Sequence, residues 1–121
     1  MEPTGFFSIN MAYACILFVT GNILGWYASN LQFVNEYWSD KSIQSVIIFG
    51  VPSMLSFWYG TRFAMMAVPE LWTIRFVGAA LSYFAFPLMT WYYLDESMFT
   101  LKTMICVLLA ISIMMVQIFV R

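Results

Sequence analysis

Five side chains with chemistry to offer stand inside long apolar stretches of this sequence: Asn22, Trp26, Tyr59, Arg62 and Tyr83. A carboxamide such as Asn22 brings both donors and acceptors into hydrocarbon, and each must find a partner. Two uses are open to it: a bond across a helix interface, or a place on a hydrated solute path. By helix rise, Arg62 lies about 6 Å inside the end of its stretch. Its side chain can snorkel to the boundary, face a cavity as an anion site, or pair with Glu70 across a short turn. The rings of Trp26, Tyr59 and Tyr83, like those of Tyr27 and Trp58, suit helix packing or the stacking of flat and cationic ligands.

Other chemistry is missing. The chain has no histidine, and no aspartate or glutamate falls inside an apolar stretch. Coupling through a buried carboxylate is therefore not expected. Without a nucleophile–base pair, no catalytic residue is assigned and no enzyme is expected. Cys15 and Cys106 each sit in an apolar run and read as packed residues, so no metal site or cofactor is predicted.

The elements that must carry these residues follow from composition. Of the 121 residues, 63% are hydrophobic and only 9% charged, with a mean hydropathy of +0.83. Soluble domains carry about 25% charged residues, so there is too little polar side chain to cover a surface facing water. A soluble enzyme, a nucleic-acid binder and a disordered tail are excluded. The net charge of −1 offers no basic patch.

A bilayer core about 30 Å thick needs roughly 20 apolar residues in a helix, and four such runs occur. They cover residues 8–33, 42–66, 71–94 and 101–120. Period-2 alternation is missing, which argues against a β-barrel. The expected fold is a single all-α domain over 1–121, an integral membrane bundle of four transmembrane helices.

The breaks carry start and stop chemistry. Ser39 or Asp40 is a candidate cap for the second helix and Thr100 for the fourth. Pro69 and Glu70 suit the opening of the third helix. Pro52 and Pro87 fall inside helices, where kinks are expected. With Glu2 and no early basic residue, the N-terminus does not read as a cleavable signal. Tyr37, Trp38, Trp91, Tyr92 and Tyr93 form an interfacial belt at the end shared by loops one and three. Trp72 and the Phe6–Phe7 pair serve the other end. Arg62, Arg75 and Arg121 against Lys41 and Lys102 vote narrowly for cytoplasmic termini in a cell or inner membrane, and the near-balance leaves dual insertion open.

Small residues form stripes that let helix backbones approach: Gly21, Gly25 and Ser29 on helix 1, Ser56 and Gly60 on helix 2, Gly78 and Ser82 on helix 3. They are read as packing positions.

In layout the chain resembles the half-size members of the drug/metabolite transporter superfamily, including the small multidrug resistance type. The features that carry the resemblance are Asn22 ahead of Gly25-Trp26-Tyr27, Arg62 near the end of helix 2, and Pro69-Glu70-Leu71 opening helix 3. Tyr93-Leu94-Asp95-Glu96 before the last span is a further match. The resemblance implies a homodimer with a solute chamber between two copies. Asn22, Trp26, Tyr59, Arg62 and Tyr83 would then be the solute contacts. Helix 1 departs from the multidrug pattern, since it offers Asn22 where that family uses a coupling glutamate. The expected partners are the lipid bilayer, a second copy and a small organic or amphipathic solute, with no nucleic acid. A different class stays open beside this one: a structural or regulatory small subunit of a larger membrane complex. Its ten methionines would adapt to a partner surface.

Overall fold

The computed structural model describes residues 4–5, 7–97 and 99–120. Glu2, Phe6 and Arg121, used above for the leader, the belt and the charge count, lie outside the described residues. Four helices are long and apolar enough to cross a membrane: α1 (Ile9–Val34), α2 (Ser42–Ala67), α3 (Leu71–Leu94) and α4 (Leu101–Phe119). Their ends fall within a residue or so of the hydropathy breaks.

The caps show what sets those ends. Ser8 accepts from the Met11 amide at α1, and Thr100 accepts from Thr103 at α4. At α2 neither Ser39 nor Asp40 caps; Lys41 stands at the N-cap without a side-chain capping bond. Both candidates are engaged in the loop, where Ser39 Oγ donates to the Glu36 carbonyl and Asp40 meets Lys41 at 3.5 Å. A short 3₁₀ turn, Glu36–Trp38, fills that loop and is capped by Asn35. Asp95 ends α3 in the left-handed region at φ 55°, a conformation that aspartate tolerates better than most residues.

The two internal prolines act differently. Pro52 cannot donate to the carbonyl of Ile48, and its ring crowds that carbonyl. The strain is taken up just before it, where Val46–Gly50 widens into a π-turn. Pro87 lies within an unbroken α3.

The helices form a row rather than a closed ring. α1 packs along α2 on one side and α3 on the other, while α2 and α3 touch each other little. α4 has its substantial contacts with α3 alone, and Ala110 is its one buried residue. Its hydroxyl at Ser112 bonds back to the Leu108 carbonyl and not to a neighbouring helix.

The α1–α2 seam is tight because small residues and serines line it. A Cβ added at Gly60 would stand 2.8 Å from the Phe18 ring, and one at Gly21 would stand 3.1 Å from Phe57. Ser53 Oγ donates to the Gly21 carbonyl at 2.7 Å. Ser45 Oγ lies 3.1 and 3.0 Å from the carbonyls of Tyr27 and Ala28. Met11, Ala14, Phe18, Ala64, Ala67 and Ile74 make the apolar core beneath. Before α1, the amides of Thr4 and Gly5 donate to the carbonyls of Met66 and Ala67. They satisfy carbonyls that the end of α2 would otherwise leave open. Gly5 does so at φ +94°, a conformation that favours glycine.

Candidate functional site

The two ends of the α1–α2–α3 unit are built differently. Toward loops one and three, the helices are locked by aromatic rings. Trp26 is 1% exposed, and its Nε1 donates to Thr90 Oγ1 at 2.9 Å. Its ring stacks on Tyr93 at 5.2 Å. Tyr93 and Tyr27 share a 2.6 Å hydroxyl bond, and Tyr27 packs on Phe49, which the π-turn presents. Tyr93 is thus part of the helix lock and not only of the boundary belt. Tyr37, Trp91 and Tyr92 are exposed as a belt requires.

On the loop-two half of this unit, a groove of about 790 Å³ lies between α2 and α3. Phe18 and Asn22 of α1 form its floor. Met54, Phe57 and Thr61 line the α2 wall, and Arg75, Gly78 and Ser82 are among the residues of the α3 wall. Leu71 and Trp72 line it at the start of α3.

Asn22 is 7% exposed. Its Nδ2 donates to the Phe18 carbonyl at 2.9 Å, one turn back on its own helix. Among the described residues its carboxamide oxygen accepts no hydrogen bond. No fully buried side-chain nitrogen or oxygen among the described residues lacks a partner, so this oxygen is accessible and not sealed in protein. With Asn22 in the groove lining, that oxygen can accept from a donor that enters the groove.

Of the five residues singled out as solute contacts, Asn22 alone lines the groove. Trp26 is spent in the aromatic lock. Tyr59 and Tyr83 face outward, 49% and 51% exposed. Arg62 also faces outward, its guanidinium carbon 5.6 Å from the centre of the Trp58 ring one turn back. It forms no ion pair with Glu70 among the described residues; Glu70 instead accepts from the Thr73 hydroxyl at 2.8 Å. The stripes divide in the same way. Gly21, Gly25 and Gly60 meet side chains of the facing helix, whereas Ser29 is exposed and Ser56 half-buried. Gly78 has open space where a Cβ would stand, and Ser82, bonded to the Ala79 carbonyl, lines the groove beside it.

The cation that lines the groove is Arg75, itself exposed and counted above only toward orientation. The signal for it was present: it stands four residues inside α3, about 6 Å by helix rise, a depth like that of Arg62 in α2. Ser53 and Ser45 were equally hidden, because sequence does not tell a serine that bonds its own helix from one that reaches a neighbour. Among the described residues, no group of three or more potential metal ligands gathers. No family model, curated protein or solved structure matches this chain.

Proposed function

We propose that this chain is a multi-pass membrane protein of transporter-like type that acts as a homodimer and carries a small amphipathic organic solute. The observation that carries the reading is the groove: a cavity of about 790 Å³ set between apolar helices, with the unpartnered oxygen of Asn22 on its floor. Such a volume falls in the range of small-molecule sites, roughly 300–1,000 Å³. Mostly apolar walls with a few convergent polar groups are the composition expected of them.

Two features favour a second copy. The groove lies open between α2 and α3, so one copy supplies half of an enclosure. Outward-facing Tyr59 and Tyr83 also carry hydroxyls with no hydrogen bond among the described residues. Both lie well inside helices of membrane-crossing length, where a polar tip wants a protein partner. With no acid inside any of the four helices, a buried carboxylate does not drive the carrier. It works as a facilitator or a flippase-like protein.

The test has two parts. Native mass spectrometry of the gently extracted protein should give the mass of two chains. A stable assembly with unrelated chains would replace this reading with that of a subunit in a larger complex. Thermal stability in maltoside micelles should then rise saturably with at least one of dodecanoate, dodecanol and dodecyltrimethylammonium, as it does when a ligand binds only the folded form. Asn22→Ala should weaken that response about tenfold, or about 1.4 kcal/mol. If no probe acts saturably, the groove is not a solute site.

A further inference from the structure

We infer that the groove selects organic anions, specifically elongated ones with an apolar body and an acidic head held by Arg75. The inference rests on the groove being a solute site and adds the charge of the solute.

Arg75 belongs to the lining, and among the described residues it has no ion pair or hydrogen bond. No acidic side chain lines the groove. Glu70, five residues before Arg75 on the chain, is engaged by Thr73. Glu36, Asp40, Asp95 and Glu96 belong to loops one and three at the opposite end. Among the described residues, the exposed Arg75 therefore borders an apolar groove with no acidic side chain in its lining. A guanidinium offers a planar fork of N–H donors that fits carboxylate or phosphate oxygens two at a time.

The polar groups are also ordered along the groove. Trp26 meets Thr90, 64 residues on, and α1 and α3 run in the same direction. Asn22 therefore lies level with about residue 86 of α3, and Arg75 lies roughly 16 Å nearer loop two. Phe18, Phe57, Met54 and Ala79 line the path. Along the groove the order is a cation nearest loop two, an apolar and aromatic middle, and an acceptor oxygen at the far end. The matching occupant has an acidic head, an apolar body and, at its far end, a hydroxyl or N–H donor. A free organic acid and the headgroup of a bilayer phospholipid share the acidic head, and the test separates them.

The experiment is a thermal-stability titration of the full chain in uncharged maltoside micelles. The probes are dodecanoate, its ω-hydroxy form, dodecanol, dodecyltrimethylammonium and phosphatidylglycerol. The anions should stabilise saturably and the alcohol and the cation should not. The ω-hydroxy acid should bind more tightly than dodecanoate. Arg75→Gln should weaken the anion response at least tenfold and Arg75→Lys should restore part of it. Arg75-dependent stabilisation by dodecanoate identifies a free acid as the source, and by phosphatidylglycerol alone a bilayer lipid; both support the anion site. If the cationic probe stabilises the parent as well as the anions do, or Arg75→Gln binds anions as tightly as the parent, the inference is overturned while the groove stands as a solute site. The comparison of probes on the parent needs no variant to fold. Loss of every response, anionic or not, would instead remove the solute site itself.

Discussion

The same three helices are locked by rings at one end and flank a groove toward the other, and the difference lies in what each region has available to satisfy its polar atoms. At the aromatic end, Trp26 Nε1 has Thr90, Tyr27 has Tyr93, and Ser45 has two carbonyls of α1. Each polar tip is answered by the protein, so the helices can be held together without water or ligand. At the groove end, Asn22 keeps an oxygen and Arg75 keeps a full charge without a described partner. Large rings set the spacing on one side; Gly78, Ala79 and Ser82 leave space on the other. Packing satisfied from within gives rigidity, and polarity left unanswered gives a place for something else to bind.

The largest blow to this contrast should come from the closed end. Trp26→Ala removes the buried ring, its stack on Tyr93 and its bond to Thr90, and should cost about 3–5 kcal/mol. The measurement is the thermal midpoint of the purified protein in maltoside micelles. An unchanged midpoint would mean that the aromatic cluster does not hold the end shut.

Next comes the seam that both ends share. Gly60→Leu must displace the Phe18 ring, with a Cβ contact of 2.8 Å already too close. Overpacking of this kind costs about 1–3 kcal/mol, and size-exclusion profiles should show loss of the monodisperse species. Ser53→Ala should be milder, about 0.6 kcal/mol, as interhelical hydrogen bonds in membranes average near that value. A Ser53 effect several times larger would show that the cross-helix bond controls the α1–α2 register.

The smallest stability change is expected in the groove itself. Gly78→Ala meets nothing within 4 Å and should leave the midpoint unchanged or raise it by under about 1 kcal/mol, since alanine favours the helix. The same substitution narrows the groove and should alter the response to the solute probes. A variant that loses stability without changing that response would place Gly78 in a helix contact and erase the contrast between the two ends.

Much of the fold was legible before any coordinates. The four helices and nearly all of their ends follow from runs of apolar residues long enough to cross a bilayer, because hydropathy is a local property that adds along the chain. Thr100 was readable as a cap for the same local reason. Ser39 and Asp40 were not, since both are consumed by bonds within their own loop. The π-turn before Pro52 was half legible: the proline announces a disturbance, but the neighbours decide whether the helix bends or widens.

The candidate site was far less legible. Asn22 stood out by being polar in an apolar run, and the groove does include it. Which other residues accompany it depends on how three helices are rotated and offset, and hydropathy is nearly blind to rotation when most faces are apolar. That is why Tyr59, Arg62 and Tyr83, marked by type alone, face away from Asn22, while Arg75 shares its groove.

The sequence by itself determined the number, length and polarity of the helices, and it denied the chain histidine and any acid within them. Only the tertiary structure decided that α1 lies between α2 and α3, that one end is locked by rings, and that Arg75 and Asn22 share a cavity. The physical reason is the range of the forces involved. Desolvation of an apolar run is written residue by residue, whereas the fit of Gly60 to Phe18 or of Trp26 to Thr90 exists only once distant parts of the chain meet.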